Sequence, residues 1–240
     1  MVDTVKNVQH TYERIKEDSP GMWQDFYEEK RPFGKMMVYK NDFCSWVSDE
    51  WTATEATAAT QVLADERNGV LVLTAAATED NGTQIQLGGS SDSETVGESW
   101  APAAGKNMWF ETRVASLDAD QNDFFVGLHN EDTSIIAGRG TDYIGFYTID
   151  ESANLNCQSA ATSVVSSQTA LTTVVNSTYL VLGFKVSGVS KIEFYINNVM
   201  QATLSTNIPT ALMRLSLANL TGAAVANTLS IDYVIMAQDR

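Results

Sequence analysis

Short apolar or alternating segments follow one another from about residue 60 to the C-terminus, each ended by Gly, Asn, Asp or Ser. Such spacing is typical of strands joined by tight turns, and no segment after residue 60 keeps the 3.6-residue apolar period of a long helix. Strands without helices between them predict an all-β, antiparallel sandwich rather than a β–α fold. The predicted strands are 70–74, 84–87, 108–114, 124–129, 143–148, 179–187, 191–197, 199–204, 212–218 and 228–236.

Two segments near the C-terminus carry the clearest alternation. In KIEFYINNVMQATL, Ile192, Phe194 and Ile196 alternate with polar neighbours, and Asn197-Asn198 suits the positive φ angles of a two-residue type I′ turn. In TLSIDYVIM, a strict period of two predicts one face made of Leu229, Ile231, Tyr233 and Ile235.

The first sixty residues differ from the rest of the chain in composition and in their apolar pattern. Val5, Val8, Tyr12 and Ile15 recur at helical spacing, and Ser19-Pro20-Gly21 ends the pattern. This predicts an N-terminal helix that is either a docking or trimer-forming arm or a short helix packed on its own domain. The segment 51–60 is expected to be a polar connector or loose strand. We therefore predict an N-terminal helix and attachment arm at 1–59 and a sandwich at 60–240.

Large aromatic side chains are concentrated between residues 23 and 51 and follow no regular period. Because such a segment needs cover from water, we expect a strap packed along its own body or along a neighbouring subunit. Aromatic side chains dominate interface energetics, so these are the predicted partner-binding residues. They are Trp23, Phe26, Tyr27, Phe33, Tyr39, Phe43, Trp46 and Trp51.

Charge and cysteine content narrow the range of functions. Fifteen Lys and Arg against thirty Asp and Glu give a net charge of −15, which disfavours nucleic-acid binding. We also expect no membrane span and no cleaved signal peptide, because no apolar run is long enough. Cys44 and Cys157 have no CxxC partner, so both are expected to be buried thiols in a reducing compartment.

The hairpin KIEFYINNVMQATL and the closing strand LSIDYV resemble concanavalin A-like jelly rolls, which include laminin-G-like modules, legume lectins and laminarinase-class glucanases. With DFFVGLHNEDTSIIAGRGTDYIGFYTID, they are also similar to structural proteins of tailed phages. The first resemblance implies a jelly-roll sandwich over 60–240. The second implies a virion surface or capsid-decorating role, although a fold alone does not fix function.

Glucanases of this fold place two carboxylates at alternate positions of one strand, in a pattern near E-x-D-x-E. Here Glu111, Glu193 and Asp232 each stand alone on their predicted strands. LDADQNDF resembles a calcium loop superficially but lacks its Gly and its final Glu, so a solvated turn is the preferred interpretation. We expect no catalytic, metal or cofactor residues and no cofactor.

The sequence therefore predicts a non-enzymatic phage capsid decoration protein. It would be a homotrimer, made in the host cytoplasm and attached to the major capsid protein through its N-terminal arm, with Lys30, Arg31 and Lys35 facing an acidic capsid surface. The alternative is a lectin-like carbohydrate-binding module on a phage fibre or particle surface. In that case exposed aromatics such as Trp100, Trp109 or Tyr143 would stack on sugar rings. A third hypothesis, glucan hydrolysis, needs a carboxylate pair that the sequence does not show.

Overall fold

The computed structural model describes residues 22–23, 35–66, 68–88, 100–136, 140–149 and 151–240. These residues form β-strands with one short 3-10 turn, Ser48–Glu50. The strands are β1 (Met36–Asn41), β2 (Trp51–Glu55), β3 (Thr60–Leu63), β4 (Leu71–Thr74), β5 (Gly82–Leu87), β6 (Asn107–Ser116), β7 (Asn122–His129), β8 (Tyr143–Tyr147), β9 (Asn154–Ala161), β10 (Val164–Thr173), β11 (Leu180–Ser187), β12 (Lys191–Ile196), β13 (Val199–Leu204), β14 (Arg214–Thr221) and β15 (Thr228–Asp239).

Two antiparallel sheets face each other. Sheet I has the order β13-β12-β11-β6-β15-β4-β3, with β1 also paired to β15, and sheet II has the order β10-β9-β8-β7-β14-β5-β2. This confirms the predicted all-β, antiparallel jelly-roll sandwich. The predicted N-terminal helix lies outside the described residues and has no support from the structure. Among the described residues, no helix is long and apolar enough to cross a membrane.

The core lies between the two sheets, and most strands contribute alternate residues to it. Phe110 of β6 stacks on Phe184 of β11 at 4.8 Å between ring centroids, within sheet I. Phe146 of β8 meets Phe194 of β12 edge-on at 5.2 Å, which joins sheet II to sheet I. The alternation predicted for β12 is confirmed, and Asn197 and Asn198 have φ angles of 50° and 64°, as a type I′ turn requires.

The face predicted for the last strand is correct only in its first half. Leu229 and Ile231 lie in the core, but a register shift between Ile231 and Tyr233 exchanges the two faces of β15. Val234 and Met236 therefore face the core, and Tyr233 lies on the outer face of sheet I. A bulge inserts one residue and reverses the alternation beyond it, which a strict period of two does not anticipate.

The described part of the predicted attachment arm belongs to the sandwich. Strand β1 pairs with the second half of β15 in sheet I, and β2 pairs with β5 at the edge of sheet II. Phe43 and Trp51 are fully buried in the main core. Residues 51–55, expected to belong to a polar connector or a loose strand, form strand β2, in which Trp51 points inward while Thr52 and Thr54 face outward.

The two cysteines differ in environment. Cys157 is buried in β9, and this burial raises the pKa of its thiol to about 12. Cys44 is exposed, with its Sγ 3.4 Å from the backbone oxygen of Asn68, so the prediction that both thiols are buried is wrong for Cys44. Cys44 lies in the turn after β1, where the chain leaves the sheet, rather than on an inward-facing strand position.

Candidate functional site

The outer face of sheet II carries an unusual share of large and polar side chains. Their inward-facing neighbours on the same strands lie in the main core, so alternate residues point away from it. The outward residues are Gln84 and Gln86 of β5, Arg214, Ser216, Ala218 and Leu220 of β14, Phe125 and His129 of β7, Tyr143 and Tyr147 of β8, and Gln158 and Ala160 of β9. Residues 130–136, which follow β7, fold back over this face; we call them the crossing loop.

Two glutamines of β5 hold the crossing loop by its backbone. Gln86 donates from Nε2 to the Asn130 carbonyl at 3.1 Å and accepts from the Asp132 N–H at 2.9 Å. Gln84 donates to the Asp132 carbonyl and accepts from the Ile135 N–H at 2.8 Å. Each side-chain amide thus acts as both donor and acceptor, as the backbone N–H and C=O groups of a neighbouring strand would. The loop is fixed to the sheet by side chains that mimic a backbone ladder.

The apolar side of the crossing loop closes over an aromatic cluster. Ile135 and Ile136 pack with Phe125, Tyr143 and Tyr147, and the enclosed space left between them is about 10 Å³. Tyr143 and Tyr147 are only 3% and 8% exposed. These aromatic rings support the loop from below and do not reach solvent.

An ion pair anchors the start of the crossing loop. The side chain of Arg214 is only 3% exposed, and its Nη2 donates to Glu131 Oε2 at 3.0 Å. A buried guanidinium needs a compensating acceptor, because an unpaired buried charge is costly. Glu131 therefore links the loop to β14 as the two glutamines link it to β5.

An open cleft of about 230 Å³ lies on the other side of the loop, over β2, β5 and β14. Its lining residues include two acidic residues, three residues with hydroxyl groups, one glutamine and several aliphatic residues. The lining residues are Thr54, Glu55, Ala56, Asp80, Gly82, Gln84, Thr133, Ser134, Ile135 and Leu220. A concave site with a few polar groups around an apolar patch is the usual form of a small-ligand site. This cleft is the candidate functional site.

The carboxylates of the cleft come from separate elements. Glu55 ends β2, whereas Asp80 lies in the turn before β5. The backbone N–H of Asp80 donates to the Thr221 carbonyl at 2.8 Å. Glu55 is paired in register with Thr83, three residues after Asp80, which explains how they reach one cleft. Sequence inspection missed both residues because no motif along the chain links positions that only strand pairing brings together.

No described strand carries two carboxylates at alternate positions, as an E-x-D-x-E pattern requires. Glu111 of β6 is the most buried of the strand carboxylates singled out from the sequence, and it lies on the opposite sheet. Its Oε2 accepts from Trp23 Nε1 and its Oε1 from the Tyr233 hydroxyl, each at 2.7 Å. Burial raises the pKa of Glu111, and both hydrogen bonds act against that shift. Glu111 is covered by Trp23 and is not part of the cleft.

The polar turn LDADQNDF does not gather its oxygens around one point. Asn122 turns inward and donates to the Ser116 hydroxyl at 2.9 Å, while Asp118 accepts from Asn176 at 3.3 Å. A hydrogen bond with Asp120 raises the pKa of Asp118. Within the described ranges, no group of three or more His, Cys, Asp or Glu side chains could hold a metal ion.

The aromatic residues predicted to bind a partner pack on their own sandwich wherever the structure describes them. Trp23 stacks on Trp109 at 6.4 Å on the outer face of sheet I. Trp46 stacks on Trp51 at 6.1 Å, and Tyr39 meets Trp51 edge-on at 6.2 Å. These side chains are covered at least in part by their own chain, and partner binding by the aromatic residues stays a prediction. Phe26, Tyr27 and Phe33 lie outside the described residues, as do Lys30 and Arg31.

The aromatic residues expected to stack on sugars, if the chain is a lectin-like carbohydrate-binding module, are also buried. Trp100 lies in the main core, Trp109 lies beneath Trp23, and Tyr143 lies beneath the crossing loop. None of these three offers an open ring to a ligand. The candidate cleft instead relies on hydroxyl, amide and carboxylate groups.

Comparison with known proteins supports the fold through structure alone. No protein-family model matches the chain, and no curated protein matches it. A β-1,3-1,4-glucanase (lichenase) from a mouse hindgut metagenome has a similar structure, with a TM-score of 0.57, 11% identity and coverage of 83% of this chain and 98% of that one. A Bacteroides ovatus glycoside hydrolase family 16 protein in complex with G4G4G3G product is similar with a TM-score of 0.58 and 12% identity, and the match covers 82% of this chain and 99% of that one. A protein of unknown function from Shewanella oneidensis MR-1 is similar with a TM-score of 0.59 and 11% identity, and the match covers 92% of this chain and 96% of that one.

These neighbours correct the functional prediction made from the sequence. The solved structures that share this fold include glucan-cleaving hydrolases, which contradicts the predicted phage capsid decoration or cement protein. The same finding contradicts the prediction that the chain is not an enzyme. The part of the resemblance that these structures support is the jelly-roll fold. The predicted homotrimer and the cellular location are not tested and stay predictions.

Proposed function

We propose that this chain recognises a β-linked glucan in the cleft formed by β2, β5, β14 and the crossing loop. The observation that carries the proposal is the lining of this cleft, where acidic and hydroxyl-bearing residues occur together with aliphatic ones. Support for the ligand class comes from similar structures that act on β-1,3-1,4-glucan or laminarin by their names.

The chemistry of the lining suits a sugar ring. Sugar hydroxyls both donate and accept, so they are matched by groups such as Glu55, Asp80 and Thr133, which accept or do both. Leu220 and Ile135 supply apolar surface for the C–H face of a ring. A few polar groups around an apolar patch orient a ligand while burial supplies affinity.

Glucan hydrolysis is the second candidate, and one observation favours it. Glu55 and Asp80 line the same cleft, so the chain has a pair of carboxylates where a glycosidic bond could lie. Glycoside hydrolases need one carboxyl group as acid and one as nucleophile or base, separated by about 5–5.5 Å or about 6.5–9.5 Å. Release of reducing ends from mixed-linkage glucan, abolished by Glu55→Gln or by Asp80→Asn, would support turnover.

Binding is tested by isothermal titration calorimetry with mixed-linkage β-glucan and with laminarin, using an α-glucan for comparison. We expect saturable binding to at least one β-glucan, weakened at least tenfold by Asp80→Asn. Asp65→Asn serves as the matched control, because Asp65 is an exposed aspartate in a turn outside the cleft lining. Equal affinity of both variants for the glucan, or no heat with any β-glucan, would contradict the proposal.

A further inference from the structure

The crossing loop divides the outer face of sheet II into two unequal spaces. On one side lies the open cleft of about 230 Å³, and on the other the enclosed space of about 10 Å³ above the aromatic cluster. Ile135 lines both spaces, so it stands in the partition between them. The cleft therefore does not continue across the sheet towards β8 and β9.

This partition is built as a fixed wall. The loop backbone makes four hydrogen bonds with the Gln84 and Gln86 amides, and Arg214 holds Glu131. Displacing the wall would leave Arg214 and the amides of β5 without these partners, and an unsatisfied buried polar group is unfavourable. A ligand that lies across the face does not replace these lost hydrogen bonds, so we expect it to leave the wall in place.

We infer that the cleft takes the terminal segment of a glucan chain and excludes internal segments that would run on across β7 and β8. The inference rests on the proposed function and adds a specificity for chain ends. Thr133, Ser134 and Ile135 form the wall against which the terminal sugar abuts. The glutamines of β5 are positioning residues, because they act on the ligand through the loop.

Chain-end recognition is tested with one mixed-linkage β-glucan before and after partial cleavage by a separate endoglucanase. The measured quantity is the number of binding sites per gram of glucan, found by titration calorimetry over a period in which the protein itself releases no reducing ends. Chain-end binding predicts that sites per gram rise in proportion to reducing ends. A constant or falling number would overturn the inference while leaving glucan binding intact. No binding to either preparation would overturn the proposed function as well.

A loop variant gives an independent test. Gln86→Ala removes two of the four anchoring hydrogen bonds without altering the cleft lining, so the wall loosens. We expect at least a threefold increase in sites per gram on the uncleaved glucan. The matched control is Gln238→Ala, because the Gln238 amide makes a similar pair of bonds to the backbone of Ala101, away from the cleft. An unchanged number of sites in folded Gln86→Ala, or an equal increase in the control, would contradict the role of the wall.

Discussion

Gln84 accepts a hydrogen bond from the backbone N–H of Ile135 at 2.8 Å, although the two residues are 51 positions apart in the chain. The same glutamine lines the cleft and holds the loop that closes it. This contact links sheet II to the shape of the candidate site, since the position of the crossing loop depends on a side chain of the sheet beneath it.

Replacing Gln84 should loosen the crossing loop. Gln84→Met keeps the length of the side chain but removes both hydrogen bonds, leaving the Asp132 carbonyl and the Ile135 N–H without these partners. We expect a loss of about 1–3 kcal/mol in the free energy of unfolding. Urea titration measures it, and limited proteolysis should cut the variant within 130–136 faster than the wild type. Gln201→Met, at an exposed position of β13, should change neither.

The buried hydrogen bond from Trp23 should contribute measurably to stability. Trp23→Phe keeps a ring to stack on Trp109 but removes the donor to Glu111, which keeps the hydrogen bond from the Tyr233 hydroxyl. Above the raised pKa of Glu111 its carboxylate is charged, and hydrogen bonds to charged groups contribute about 1.5–3 kcal/mol, so we expect a decrease of that size in urea unfolding at such pH values. Trp46→Phe keeps a ring beside Trp51 and should cost less. Equal losses in both variants would show that the hydrogen bond to Glu111 adds nothing.

Glu111 should also give the fold a pH dependence of known sign. Because burial raises its pKa, the folded protein keeps a proton on Glu111 at pH values where the unfolded chain has lost it. The contribution to stability is therefore fully present below the ordinary glutamate pKa and is lost as pH rises through the raised pKa. Glu111→Gln does not titrate, so wild-type stability minus that of the variant should fall across this window in urea titrations. A stability difference that stays constant, or rises with pH, would contradict the buried environment of Glu111.

The two thiols should differ sharply in reactivity. The thiolate is the reactive form, and burial raises the pKa of Cys157 to about 12, whereas Cys44 is exposed. At pH 8, iodoacetamide should therefore modify one cysteine per native chain, and two after denaturation in urea. Peptide mass spectrometry should place the native modification at Cys44. Rapid native modification of Cys157 would mean that β9 is not packed as described.

The sequence could predict the strands whose side chains alternate strongly. The ten predicted strands all correspond to strands of the structure, because residues such as Phe194 and Leu217 mark the inward face by a period of two. The sequence did not predict β1, β3, β9 and β10. For β9 and β10 the reason is that NLNCQSAA and VVSSQTALTT contain mostly small and polar residues. β9 is positioned by pairing with β8, and β10 by pairing with β9, which local composition does not encode.

The candidate site was harder to foresee than the fold. Thr54, Asp80 and Leu220 meet only because β2, β5 and β14 are neighbours in sheet II. The aromatic density before residue 51 led to an interface prediction, yet Phe43 and Trp51 fill the core of their own chain. Composition shows that such side chains need cover, but it does not tell a self-contact from a partner contact.

Filling the cleft tests glucan recognition most directly. Leu220→Arg places a long cation in the cleft from a half-buried position, whereas Leu212→Arg changes the same residue type at an exposed position outside it. In titration calorimetry with mixed-linkage β-glucan, the wild type and Leu212→Arg should bind alike, and Leu220→Arg should lose at least tenfold in affinity while melting cooperatively. Full affinity in folded Leu220→Arg, or no binding by the wild type to any β-glucan, would contradict glucan recognition at this cleft.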